Sequence, residues 1–160
     1  MRYVDLRIIK GDNPRRATVW GTRDDGSVVQ TIIVPNHDLP YLVVESAFGL
    51  SDGEWGARLS ETGYPDFERA SDLPPGIIIS KQLSNAVANI FGDGPNTAAG
   101  VRSRARAGAG AGAVLDSIDD AQIEAAIDGV QRLVTIWSRL PAGSKLDVSW
   151  PLDLTTLASE

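Results

Sequence analysis

The chain is expected to form an α+β domain. Its predicted parts are an N-terminal three-stranded antiparallel meander, one C-terminal strand, and about four helices packed mainly on one sheet face. Three observations lead there. Apolar residues alternate with period two through the first third of the chain. Helical periodicity of 3.6 residues then takes over, and one alternating stretch returns after the last helix. Strands and helices are therefore segregated along the chain, whereas a doubly wound fold needs regular alternation. With 160 residues, 42% of them hydrophobic, residues 1–160 are expected to form a single domain with its own core.

The elements follow in order. In YVDLRIIK, Val4, Leu6 and Ile8 share one face. KGDNP turns the chain, and RATVWGTR is the second strand. Asp25-Gly26 is a strong short-hairpin signal. SVVQTIIVP is the third strand, stopped by Pro35 and apolar on both faces, so it is expected at the sheet centre or covered on both sides. Residues 40–50 are expected to be a short helix, with Pro40 at the first helical position, Leu39 outside it and Gly49 as C-terminal cap. DGEWGARL adds a helical turn or two. Residues 61–79, rich in proline and glycine, are expected to be an irregular loop.

SKQLSNAVANIF is the next helix, with Ser80 as cap and Leu83, Ala86, Val87, Ile90 and Phe91 in one stripe. GDGP breaks it, and Asn96 caps a weaker helix to about Ala107. Residues 107–115, mostly glycine and alanine, are expected to be a flexible linker. Asp119 and Gln122 form a capping-box pattern, with Ile118 placed to staple onto Ile123. The helix that follows carries Ile123, Ile127, Val130, Leu133, Val134 and Trp137 on one stripe. KLDVSW is the last strand, expected to join the meander at an edge. Residues 151–160 are a possible tail.

Composition narrows the chemistry. The chain has no cysteine, which removes disulfides, thiolate nucleophiles, zinc fingers and iron–sulfur clusters. Its single histidine, His37, removes any histidine-rich metal site. No cofactor is predicted. A divalent metal remains possible among carboxylates with at most one imidazole, a donor set suited to Mg, Mn or Ca. The net charge of −6 makes a nucleic-acid partner unlikely. No apolar run is long enough for a membrane span, and the N-terminus lacks the features of a signal peptide, so a cytoplasmic location is expected.

The stretch VPNHDLPYLVVES carries that histidine at a strand-to-helix junction. The candidate catalytic residues are His37, Asp38, Tyr41 and Glu45, with His37 as base oriented by Asp38 or Glu45. His37 and Glu45 are also the candidate metal pair. Continuous helix would stack residues 37, 41 and 45 on one face, but with Pro40 at the helix start only Tyr41 and Glu45 share it. The bland alternative is structural: Asp38 favours the positive end of the helix, and His37 bonds backbone.

Other sets are weaker. Asp52, Glu54, Glu61, Asp66, Glu68 and Asp72 read as solvated surface, with Tyr64 and Phe67 able to line a pocket. FGDGPNTAAGVR resembles helix-terminal anion sites but lacks the lysine and hydroxyl of a P-loop. Arg102, Arg104 and Arg106 could touch an acidic partner or nucleic acid. No serine stands in a nucleophile elbow. The favoured expectation is a binding or interaction module, without identifiable catalytic machinery, for a protein partner or self-association through Trp150 and the tail residues Leu152, Leu154 and Leu157. The alternatives are a hydrolase-like enzyme using His37 with acidic residues, with or without a divalent metal, and a weak nucleic-acid contact through Arg102–Arg106.

Overall fold

The computed structural model describes residues 3–90, 92, 94–106 and 110–157. Its four strands are β1 (Val4–Lys10), β2 (Ala17–Arg23), β3 (Val28–Ile33) and β4 (Lys145–Trp150). They form one antiparallel sheet in the order β3-β2-β1-β4. Alternation does what period two requires. Val4, Leu6 and Ile8 are buried while Asp5 and Arg7 are exposed, and Ile8 lies opposite both Val19 and Leu146. Gly26, at φ 84°, supplies the left-handed backbone of the β2–β3 turn. The fold is α+β as expected, with β4 at an edge.

The helices are α1 (Pro35–Phe48), α2 (Glu54–Arg58), α3 (Pro75–Ala88), α4 (Ala98–Ala105), α5 (Ala111–Leu115), α6 (Asp120–Arg139) and α7 (Leu154–Leu157). The four longer ones match expected helices, α2 is the helical turn expected in DGEWGARL, and α5 and α7 are additional. Buried side chains of the sheet join those of α1, α3 and α6 in one core. Asp119 and Gln122 close a reciprocal capping box at the start of α6, which satisfies two otherwise orphaned backbone donors.

Several expectations are corrected. β3 is an edge strand with Val28 and Ile32 exposed; its two apolar faces reflect an uncovered sheet side, not a central position. The irregular loop after residue 61 ends at Pro74, because Pro75 takes the first turn of α3, where its missing N–H costs nothing. Ser80 therefore lies inside α3 and does not cap it. Thr97, not Asn96, caps α4 by accepting from the Gly100 N–H. Of the expected linker, residues 107–109 lie outside the described residues, as does Phe91. Residues 111–115 are helical, with Ala111 and Leu115 buried. In the expected tail, α7 folds back: Leu152 and Leu157 are buried in the core, so they offer no apolar surface for association.

The most consequential correction concerns α1. It begins at Pro35 and runs through Pro40. Leu39 is inside the helix and buried. Two contributions outweigh the local penalty of an internal proline. As the sixth residue of α1, Pro40 forfeits one backbone bond, to the carbonyl of Asn36, and Asn36 is exposed to water. Leu39, Tyr41, Leu42, Val43 and Val44 are all buried, and each large apolar side chain contributes about 1.5–3 kcal/mol.

Candidate functional site

Continuous helix through Pro40 restores the face that carries His37, Tyr41 and Glu45. At its N-terminal end, Asp38 is only 3% exposed. One carboxylate oxygen, Oδ2, accepts the Val34 N–H at 2.7 Å, which ties the end of β3 to the first turn of α1. The other, Oδ1, lies 3.0 Å from His37 Nδ1. Trp55 clamps the same residue from α2, its indole N–H donating to the Asp38 carbonyl at 2.8 Å. The His37 side chain is 58% exposed, so the imidazole faces solvent with one nitrogen held by a buried carboxylate. Its Nε2 is 3.4 Å from the Tyr41 hydroxyl, and the two rings meet edge to face at 5.1 Å. Tyr41 is buried. Burial, with Glu54 and Asp38 nearby, pushes its phenol well above the usual tyrosine range, so the hydroxyl stays protonated.

Helix α2 supplies the second half of the cluster. Glu54 is 3% exposed. Its Oε1 is 3.3 Å from Arg58 Nη2, and its Oε2 accepts from the Tyr64 hydroxyl at 3.0 Å. Arg58 Nη2 also stands 4.0 Å from Asp38 Oδ2, while Nη1 donates to Thr31 Oγ1 and to the Ile32 carbonyl. The guanidinium stacks over the Tyr64 ring at 5.1 Å. Burial first, and Glu54 next, push the Tyr64 phenol up to about 12. One arginine thus faces two buried carboxylates and offsets part of the cost of burying them.

Glu45 belongs elsewhere. It is fully buried. Its Oε1 accepts the Trp55 N–H at 3.0 Å and the Gly56 N–H at 3.3 Å, and its Oε2 accepts the Ser80 hydroxyl at 2.8 Å. A Cβ on Gly53 would lie 2.6 Å from the Glu45 carboxylate carbon, so only glycine lets α2 start there. Burial pushes the Glu45 carboxyl up to about 7 against the pull of these hydrogen bonds. Of the candidate metal pair, His37 is exposed, and Glu45 is buried with its oxygens taken by Trp55, Gly56 and Ser80. Among the described residues, no group of three or more acidic or histidine side chains could hold a metal ion.

Of the sequence candidates, His37, Asp38 and Tyr41 touch one another, while Glu45 is linked to them through Trp55, which bonds both Asp38 and Glu45. Glu54 and Tyr64 enter from a stretch that reads as solvated surface, and Arg58 belongs to no motif in the sequence. The spacing of Glu54 and Arg58, one helical turn apart, was the available signal. The arginine cluster resolves differently. Arg102 donates to the carbonyls of Leu115 and Ile118 and pairs with Asp120, and Arg104 donates to the carbonyls of Ala86 and Pro95. Both tie α4 to its neighbours. No protein-family model, curated protein or solved structure matches this chain, so geometry alone carries the functional argument.

Proposed function

We propose that the chain is a small acid–base enzyme of hydrolase type, with His37 as the group that moves the proton. The carrying observation is the imidazole set between the buried Asp38 carboxylate and the buried Tyr41 hydroxyl. In the tautomer that donates Nδ1–H to Asp38, the Nε2 lone pair faces the Tyr41 hydroxyl at 3.4 Å and is the site that accepts a proton. His37 then takes a proton from water as the hydroxyl adds to a substrate carbonyl, and returns it to the leaving group. Tyr41, buried and held protonated, orients the ring through its contact with Nε2. The stretch 36–79 carries eight acidic and two basic residues, which favours a neutral or cationic ester or amide over an anionic one. A panel of p-nitrophenyl esters and aminoacyl anilides tests this. The expected result is kcat/KM lowered about 10²–10⁴-fold in His37→Gln, with the fold retained because most of the His37 side chain is exposed. Equal turnover by wild type and His37→Gln would remove the proposal.

A binding module is the second reading, and a different region supports it. Trp20 is 41% exposed, and Val28 and Ile32 are exposed beside it on the helix-free face of the sheet. A depression of about 740 Å³ lies over this face. Asp5 and Asp147 there balance Arg7 and Lys145, so a second copy of the chain could meet it without net repulsion. Sedimentation showing a monomer at all concentrations would dismiss self-association.

A further inference from the structure

A second cavity lies on the opposite side of α2 from the His37 cluster. Its volume is about 450 Å³, within the range of small-molecule sites, about 300–1,000 Å³. The floor is apolar, formed by Val4, Leu59 and Trp150. The rim is polar and, among the described residues, carries one charge of each sign, Arg23 and Glu61. Neither the His37 cluster nor the sheet face uses these residues.

Arg23 is held in place before any ligand arrives. Its Nε donates to the Leu59 carbonyl at 3.0 Å, its Nη2 to the Ser60 carbonyl at 3.1 Å and its Nη1 to Ser27 Oγ at 3.1 Å. A guanidinium has five N–H donors in a rigid fork, so these three bonds leave two for a carboxylate. The same carbonyls fix the turn that carries Glu61. A cation and an anion on one rim above an apolar floor match a molecule with the reverse pair of charges and an apolar body.

We propose that this cavity binds a small apolar zwitterion of the amino-acid type. Its carboxylate lies on Arg23, its ammonium group faces Glu61, and its side chain covers Val4, Leu59 and Trp150. A lone carboxylate would meet repulsion from Glu61, and a lone amine would meet it from Arg23, so the class is set by both charges together.

Titration of the ¹⁵N-labelled protein with L-leucine, 4-methylpentanoate and 3-methylbutylamine tests this directly. The Trp150 indole and the backbone signals of Leu59 and Thr62 are the reporters. L-leucine is expected to shift them saturably. Each half-charged analogue is expected to bind at least about tenfold more weakly, the consequence of losing one charge-assisted contact. Glu61→Gln should weaken L-leucine about tenfold without weakening 4-methylpentanoate, and His37→Gln should leave binding unchanged whether or not it abolishes hydrolysis. No saturable shift with L-leucine overturns the proposal. So does equal binding of L-leucine and either analogue. The analogue comparison uses the wild-type protein, so it decides the matter even if substituting Arg23 disturbs the fold.

Discussion

Glu45 and Glu54 are both buried carboxylates at the start of α2, yet they are compensated by different means. Glu45 has neutral donors on both oxygens: two backbone N–H groups and the Ser80 hydroxyl. Those groups belong to α2 and α3, so the carboxylate ties three helices together. Glu54 has a cation and a phenol, and its network continues through Arg58 to Asp38 and so to His37. The first arrangement is closed to solvent. The second ends at an exposed imidazole. Burial alone therefore does not mark a chemical site. What distinguishes the two is whether the polar network reaches the surface through a group that can exchange a proton.

The sharpest way to break this contrast is Glu45→Ala. It would leave the N–H groups of Trp55 and Gly56 and the Ser80 hydroxyl unsatisfied in a site with no water access. The expected loss is about 3 kcal/mol or more, which lowers the melting temperature of a chain this size by roughly 6–12 °C. A loss below about 1 kcal/mol would mean the three helices hold together without it.

A pH series tests the same residue next. The Glu45 carboxyl is raised from 4.5 to about 7 in the folded protein, so between those values the folded state holds more of its proton than the unfolded state. Stability should therefore fall as pH rises through this window and stay level above it, by on the order of 3 kcal/mol. Glu45→Gln cannot titrate. The difference between its unfolding free energy and the wild-type value should change across pH 4.5–7 by that amount. Parallel curves would show that the carboxyl ionises normally.

Much of this architecture was legible from local pattern. Strand alternation, the Asp25-Gly26 turn, Gly49 and the Asp119–Gln122 box each follow from residues close in sequence. What was not legible depended on distant partners. Two prolines compete to start α1, and the rule about residues before proline favours Pro40. Packing reverses it, because the apolar residues flanking Pro40 have a core to enter and Asp38 has the Val34 N–H to accept. β3 reads as central because both faces are apolar, but its edge position is set by β4 choosing β1 from the far end of the chain. Arg58 carries no motif. Its role comes from Thr31, Ile32 and Asp38, which only the fold brings near. The candidate site was thus half legible. The stretch from His37 to Tyr41 was visible in sequence, and the α2 half was not.

The smallest expected effect tests whether Glu54 and Tyr64 act as a pair or only share a surface. Tyr64→Phe removes the donor to Glu54 Oε2 and keeps the ring that stacks under Arg58. Glu54→Gln removes the charge that Arg58 faces, but Asp38 still stands 4.0 Å from the same guanidinium, so Arg58 is not stranded. Each single change should cost about 1 kcal/mol or less, since Tyr64 is half-buried and solvent screens part of the interaction. In a double-mutant cycle the two costs should fall short of additivity by about 0.5–1 kcal/mol, because Tyr64→Phe removes the bond and Glu54→Gln leaves only a weaker, uncharged acceptor for it. Glu54→Gln should also bring the Tyr64 phenol below its value of about 12, yet not back to 10, because burial is the larger cause and remains. Additive costs with an unmoved phenol would separate Tyr64 from the cluster. The network from α2 would then reach solvent through His37 alone.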